Sequence, residues 1–259
     1  MIPKKIHYIW FGGSDLPPLA LKCIKSWEKY CRGFEIIRHD ESNFDISSCP
    51  LYVKEAYENR KWAFVTDYVR LKIIYENGGI YFDTDVEVVK KIDKLLNNKA
   101  YFGFEEIDGI NRVNTGLGFG AEKGNAIVKA MMDDYNDISF VMPDGSFDLT
   151  PCPERNTEVL KKFGLDCNGG EQLLDGARIY PCDYFCPMDF LTGKIRKTKN
   201  THTVHLFSAS WQSEAERKHH EERRKYLRRE KYLRFPKRVL IKALGRERFE
   251  KIKNKFKRG

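Results

Sequence analysis

The chain has 259 residues, 41% hydrophobic and 13% aromatic, enough for one large domain with a real core or a domain plus an appendage. No run of 18 apolar residues occurs, and the opening MIPKKIHYIWFGG has too short an apolar stretch and no small-residue cleavage site for a secretory signal, so the expected location is the cytosol. The net charge of +9 hides an asymmetry: residues 217–259 hold 19 Lys/Arg against 5 Glu, which leaves 27 Lys/Arg against 32 Asp/Glu in residues 1–216.

A mildly acidic body with a basic tail points to an anionic surface as the tail's partner, membrane or nucleic acid. Nothing in the body looks like a base-reading motif, so no nucleic acid is expected there. The seven cysteines are scattered, with no CxxC pair, which argues against a zinc knuckle or a closed disulfide framework.

Apolar runs of strand length alternate with segments of helical period, the pattern of an α/β domain. KIHYIWF (5–11) predicts a first strand ending in Gly12-Gly13, and LALKCIKSWEKYC (19–31) a helix. FEIIRH (34–39) reads as a second strand and PLYVKEAYENR (50–60) as a helix. In WAFVTDYVRLKIIYENGG, Phe64, Tyr68, Leu71 and Tyr75 recur at helical intervals until the glycines stop the helix. A short strand then delivers Asp83 and Asp85. AYFGFEE and NTGLGFGAE read as strands, NAIVKAMMDDY as a helix, 140–200 as a loop-rich stretch, and HTVHLF (202–207) as a last strand. Domain boundaries are expected at 1–216 for the body and 217–259 for the tail. In the tail, Val239, Leu240, Ala243 and Leu244, then Phe249, Ile252 and Phe256, recur at spacings of three and four among many basic residues, the pattern of basic amphipathic helices lying on a membrane surface.

GGIYFDTDV (78–86) carries the chemistry. Two carboxylates at i and i+2 of a strand share a face and repel unless a positive charge lies between them. Asp83 and Asp85 stand at the C-terminal end of an apolar strand, the edge where open α/β sheets bind ligands. One or two carboxylates suit Mg²⁺ or Mn²⁺ bridging to substrate phosphates, although acidic pairs at turns are commonly just solvated. Asp67 and Arg70, three apart, share a helix face and form either a plain ion pair or a polar face turned into the site. His205, Ser210 and Trp211 follow a strand end, where imidazole is an ordinary partner of carboxylates around Mn²⁺. His202, Cys182 and Cys186 read as structural.

Four separated pieces together resemble the family 32 glycosyltransferases, the DXD-containing sugar transferases that include capsular polysaccharide synthesis enzymes, and are similar to the glucosyltransferase domains of large clostridial toxins. The pieces are IPKKIHYIWFGG, AFVTDYVRLKIIYENGGIYFDTDV, VNTGLGFGAEKGN and HLFSASW, covering residues 2–212 in order. The resemblance implies a GT-A fold with a mixed central sheet, a UDP-sugar donor, Mn²⁺ (or Mg²⁺), retention of anomeric configuration, and a saccharide or lipid-linked acceptor met at the inner face of the plasma membrane. It places Trp10 on the uracil, Asp67 and Arg70 on donor sugar hydroxyls, and Asn114 near the sugar. Asp83 would touch ribose and sugar and reach the metal through water, Asp85 would bind the metal directly, and His205 would be its third ligand. Ser210 and Trp211 would close on the β-phosphate, with Asp83, Asp85 and Trp211 as the catalytic group. IYFDTDV also fits the signature of haloacid-dehalogenase phosphatases, with Asp83 as nucleophile, but that motif normally opens its domain whereas 82 residues precede Asp83.

Overall fold

The computed structural model describes residues 1–208 together with Lys218, Glu222, Lys225 and Tyr226. The chain divides into two units, Met1–Asp189 with Ile195–Trp211, and Phe190–Lys194 with Gln212–Gly259. In the second, residues 190–192 form a turn; the amphipathic stripes expected in the tail lie outside the described residues.

The first unit contains, in chain order, β1 (Lys5–Ile9), α1 (Pro18–Tyr30), β2 (Glu35–His39), α2 (Leu51–Glu58), α3 (Trp62–Asn77), β3 (Gly79–Tyr81), β4 (Val86–Val88), β5 (Ala100–Ile107), β6 (Ile110–Val113), β7 (Phe119–Ala121), α4 (Ala126–Asp133), α5 (Cys152–Lys161), β8 (Gln172–Leu174), β9 (Ala177–Tyr180), α6 (Cys182–Phe185) and β10 (Thr203–His205). The central sheet runs β2-β1-β3-β7-β5-β9-β8, with β6 paired to β5. β1 is parallel to both β2 and β3, while β7 is antiparallel to β3 and β5, so the sheet is mixed as expected.

Strand periodicity sorts the core onto two faces. Ile6, Tyr8, Ile80, Phe82 and Tyr101 point to a cluster with Trp27 of α1 and Phe185 of α6. Ile9, Tyr81, Phe102 and Phe104 point to the other face, packed with Val65, Val69 and Ile73 of α3 and with Met131 of α4. Gly103 makes room in the sheet for the Phe185 ring, which a Cβ there would overlap.

One expectation needs correction. The strand before the aspartates ends at Tyr81, so Asp83 and Asp85 lie in the turn between β3 and β4 rather than on one strand face. Residues 140–200 are loop-rich as expected, and between the loops they also carry α5, β8, β9 and α6.

Candidate active site at the D-x-D turn

Gly78 and Gly79 set the direction of the turn. Both have positive φ, +66° and +111°, which L side chains adopt only with strain. A Cβ on Gly78 would lie 2.8 Å from Lys123 N, and one on Gly79 would lie 2.9 Å from Lys5 O and 3.0 Å from His7 Nε2. The buried His7 ring is fixed in that space by Gly78 O at 3.1 Å and by His39 Nε2 at 2.9 Å from its Nδ1. α3 therefore ends abruptly, and β3 enters the sheet beside β1 with Ile6 opposite Ile80 and His7 opposite Tyr81.

The two aspartates then diverge. Asp83 turns toward α3: its Oδ1 accepts from Tyr81 OH at 2.8 Å and lies 3.4 Å from Arg70 Nη2. The same Nη2 is 2.9 Å from Asp67 Oδ1, one helical turn back, while Arg70 Nε donates to Thr66 O at 3.0 Å. The Asp67–Arg70 pair is thus both an i,i+3 pair and part of the site. Burial drives the Asp67 carboxyl up to about 6 despite the neighbouring guanidinium, because Asp83 also repels its charge. Burial alone would lower Arg70, but Asp83, Tyr81 and Asp67 hold it well above its ordinary range, so it stays a cation.

Asp85 turns the other way. β4 pairs antiparallel with β10, and this register sets His205 opposite Val86, next to Asp85. His205 Nε2 lies 3.2 Å from Asp85 Oδ1, and the backbone N–H of Ser208 donates to Oδ2 at 2.7 Å. On the remaining side, Trp27 Nε1 donates to Val86 O at 2.7 Å and fixes β4 on α1. Burial would raise the Asp85 carboxyl, but His205 and the Ser208 amide outweigh it and hold the group well below the usual carboxylate range. For His205 the carboxylate outweighs burial, and the imidazole is raised.

This donor set fits a small hard cation. One ligand atom from each of Asp83, Asp85 and His205 lies within 4.8 Å of the others. The 3.2 Å from Nε2 to Oδ1 is close to the spacing of about 3 Å between adjacent ligands of an octahedral ion held at about 2.1 Å. Two carboxylates with one imidazole suit Mg²⁺ or Mn²⁺, and an open side would remain for phosphate oxygens.

Asn114 completes the inner wall. Its Oδ1 accepts from Gly116 N at 2.6 Å and its Nδ2 donates to Glu105 Oε2 at 2.7 Å. Burial raises the Glu105 carboxyl, opposed by that bond. Trp10 stands one residue past β1, on the same sheet edge as the turn, half-buried, with Nε1 donating to Ser14 O at 2.7 Å. The structure therefore gathers Asp67, Arg70, Asp83 and Asn114 in one group, and Asp85 with His205 in another beside it. Trp10 shares the edge without bonding to either group, and Ser210 and Trp211 lie outside the described residues.

Sequence reading missed Tyr81, Gly116, Glu105 and Cys152. Tyr81 carried a usable signal, since it sits only two residues before Asp83, at the end of β3. Cys152 carried none, because its neighbours in space are more than 35 positions away in the chain.

The family model for a glycosyltransferase sugar-binding region containing a DXD motif matches residues 17–102. That segment, about a third of the chain, holds α1, α3, Asp67, Arg70 and the D-x-D turn, and it is this part that is similar to glycosyltransferase sugar-binding regions. The fold is a mixed sheet between helical layers with the D-x-D turn at the C-terminal end of β3. A search of the curated proteins found no match. Among solved structures, the chain is similar to the PaToxG glycosyltransferase, at 18% identity over 62% of this chain and 69% of that one, TM-score 0.48. It is similar also to a glycosyltransferase involved in the glycosylation of the major capsid of PBCV-1, at 16% identity over 83% and 98%, TM-score 0.46. The galactosyltransferase LgtC, solved with donor and acceptor sugar analogs, gives 14% identity over 86% and 95%, TM-score 0.40.

Proposed function

We propose that the protein transfers a hexose from a UDP-linked donor to a saccharide or lipid-linked acceptor, with retention of configuration and in dependence on a divalent cation. The observation that carries this reading is the convergence of Asp83, Asp85 and His205 at a sheet edge directly beside the Arg70–Asp67 pair, all of them except His205 within the region that matches a DXD sugar-binding segment. One half of the site suits a diphosphate with its cation, and the other suits hydroxyl groups.

Asp85 and His205 would hold the cation, with Asp83 reaching it through water. When bound, it would neutralise charge that builds on the β-phosphate as the nucleoside diphosphate departs, favouring the transition state over the ground state. Arg70, kept cationic by its two carboxylates, and Asp67 offer a donor and an acceptor to the donor sugar. Asp83, bridged by Tyr81 OH and Arg70, positions the sugar relative to the diphosphate. No side chain is assigned as general base. The phosphatase alternative needs Asp83 free for attack, whereas its Oδ1 is engaged by Tyr81 and Arg70.

Residues 217–259, with 19 Lys/Arg, complete the proposal as a dock for an anionic leaflet where a lipid-linked acceptor in surface polysaccharide synthesis would be met. Among the described residues no helix is long and apolar enough to cross a membrane. Binding to phosphatidylglycerol vesicles at low salt, lost on removal of residues 217–259, is the expected result.

Linkage tests the central claim. UDP completes the cation's coordination and the cation neutralises UDP, so each should strengthen the other's binding. Across a titration grid of UDP and Mn²⁺, the joint rise in melting temperature should exceed the sum of the separate rises. Additive shifts overturn the metal–diphosphate reading. A panel of UDP-sugars, scored for Mn²⁺-dependent hydrolysis, then identifies the hexose.

A further inference from the structure

α5 carries a buried polar face that has no part in the mechanism above. Its first residue, Cys152, is flanked by Pro151 and Pro153, and two fixed proline φ angles leave the cysteine little backbone freedom. Three side chains of this helix bind the segment that carries Asn114. Cys152 Sγ donates to Asn114 Oδ1 at 3.8 Å, Asn156 Nδ2 donates to Thr115 Oγ1 at 3.1 Å, and Thr157 Oγ1 accepts from Val113 N at 2.9 Å. The same Sγ accepts from Arg70 Nη1 at 3.8 Å. One sulfur atom thus meets a cation from α3 and an amide from the segment after β6.

We infer that Cys152 is a positioning residue of the donor-sugar pocket: its thiol joins Arg70 to Asn114 and sets the spacing of two groups that hold sugar hydroxyls. The inference rests on the donor-sugar reading of Arg70 and Asn114. Sulfur suits the task because its larger radius lets one atom touch both partners at 3.8 Å. Burial, then Asp67, Asp83 and Glu105, keep the thiol protonated in spite of Arg70, so it serves as a neutral donor and acceptor rather than as a nucleophile. The rival account is a small buried cysteine that merely fills space.

The two accounts differ in what a substitution moves. Wild type, Cys152→Ala and Cys152→Ser are compared for Mn²⁺-dependent binding of UDP, binding of the UDP-hexose turned over fastest by wild type, kcat and KM for that donor, and melting temperature. Cys152→Ala should leave UDP affinity and melting nearly unchanged, abolish most of the affinity contributed by the hexose, and lower kcat/KM about tenfold, the size expected when one or two weak hydrogen bonds are lost. Cys152→Ser retains an O–H donor and should fall between wild type and alanine; should the alanine variant not fold, serine reads the same split at smaller amplitude. Wild-type kinetics in both variants overturn the inference. So does a parallel loss of UDP affinity, hexose affinity and melting temperature, the signature of a space-filling thiol. If wild type binds the UDP-hexose no differently from UDP, the donor-sugar reading itself fails, and the role of Cys152 fails with it.

Discussion

Gly116 lies against the carboxylate of Asp83, so that a Cβ built on it would overlap Oδ2 and stand 3.1 Å from Arg70 Nη1 and 3.0 Å from Asn114 Oδ1. The obstruction would fall on a partly exposed, rotatable side chain, not on backbone. Gly116→Ala should therefore cost under about 1 kcal/mol of stability, because Asp83 can swing away, yet lower donor turnover at least about tenfold, because it swings out of register with Arg70 and Tyr81. Denaturant unfolding alongside steady-state kinetics checks both halves. Unimpaired turnover would show that the close approach is incidental.

Asp85→Asn removes one cation ligand and the charge that faces His205, while the amide oxygen can still accept from Ser208 N. Metal-dependent turnover of a UDP-sugar is expected to fall by roughly two orders of magnitude or more with the fold intact. Thermal melting in the absence of nucleotide reports the fold, and stripping the cation with a chelator should bring wild type down to the level of the variant. Full Mn²⁺-dependent activity in Asp85→Asn would refute the metal assignment.

Asp67 should oppose stability at neutral pH. Its folded carboxyl titrates at about 6, above the ordinary 3.8, so the folded state holds the proton more tightly than the unfolded chain. Stability from this group is complete below about pH 4 and is lost as pH rises through 6, a cost on the order of 2 kcal/mol at pH 7. Asp67→Asn, neutral at every pH, is expected to melt higher than wild type at pH 7, to lose that advantage near pH 4, and to bind the donor sugar poorly. A variant less stable than wild type at pH 7 would mean that the Arg70 ion pair outweighs burial.

His7 has the opposite sense. Burial, then His39, lowers its imidazole to about 4 from an ordinary 6.5, so the folded state favours the neutral ring. Its contribution is whole above about pH 6.5 and is lost as pH falls toward 4, roughly 2–3 kcal/mol over that window. Urea midpoints measured from pH 7 to 4 should fall more steeply for wild type than for His7→Gln, and equal slopes would exclude His7 as the titrating group.

Much of this architecture is legible in the sequence where one periodicity governs burial. β1, β2, α1 and α3 follow their apolar spacing closely, and Gly78-Gly79 marks the end of α3 because no side chain fits there. α5 was hidden for a physical reason: beside Val159 and Leu160 it buries Cys152, Asn156 and Thr157, and a hydrophobic pattern cannot register a polar buried face. The divergence of Asp83 and Asp85 was hidden because the strand stops at Tyr81, a limit imposed by pairing with β1 and β7. The D-x-D spacing and the Asp67–Arg70 pair were readable because both are local; the thiol, Gly116 and Glu105 belong to contacts made only after folding.

The β4–β10 ribbon joins segments that are far apart in the chain: Asp85 and the Ser208 amide that binds it are separated by 123 positions. A growing polypeptide released only as far as α4 already contains both aspartates but not His205, so the three-residue cluster cannot yet form. Closing so long a span carries an entropic cost that the β4–β10 pairing and the contacts of Asp85 must offset. Under the proposed function, a cation and donor that engage Asp85 and His205 together would hold β4 and β10 in register, tying the two distant segments at their meeting point.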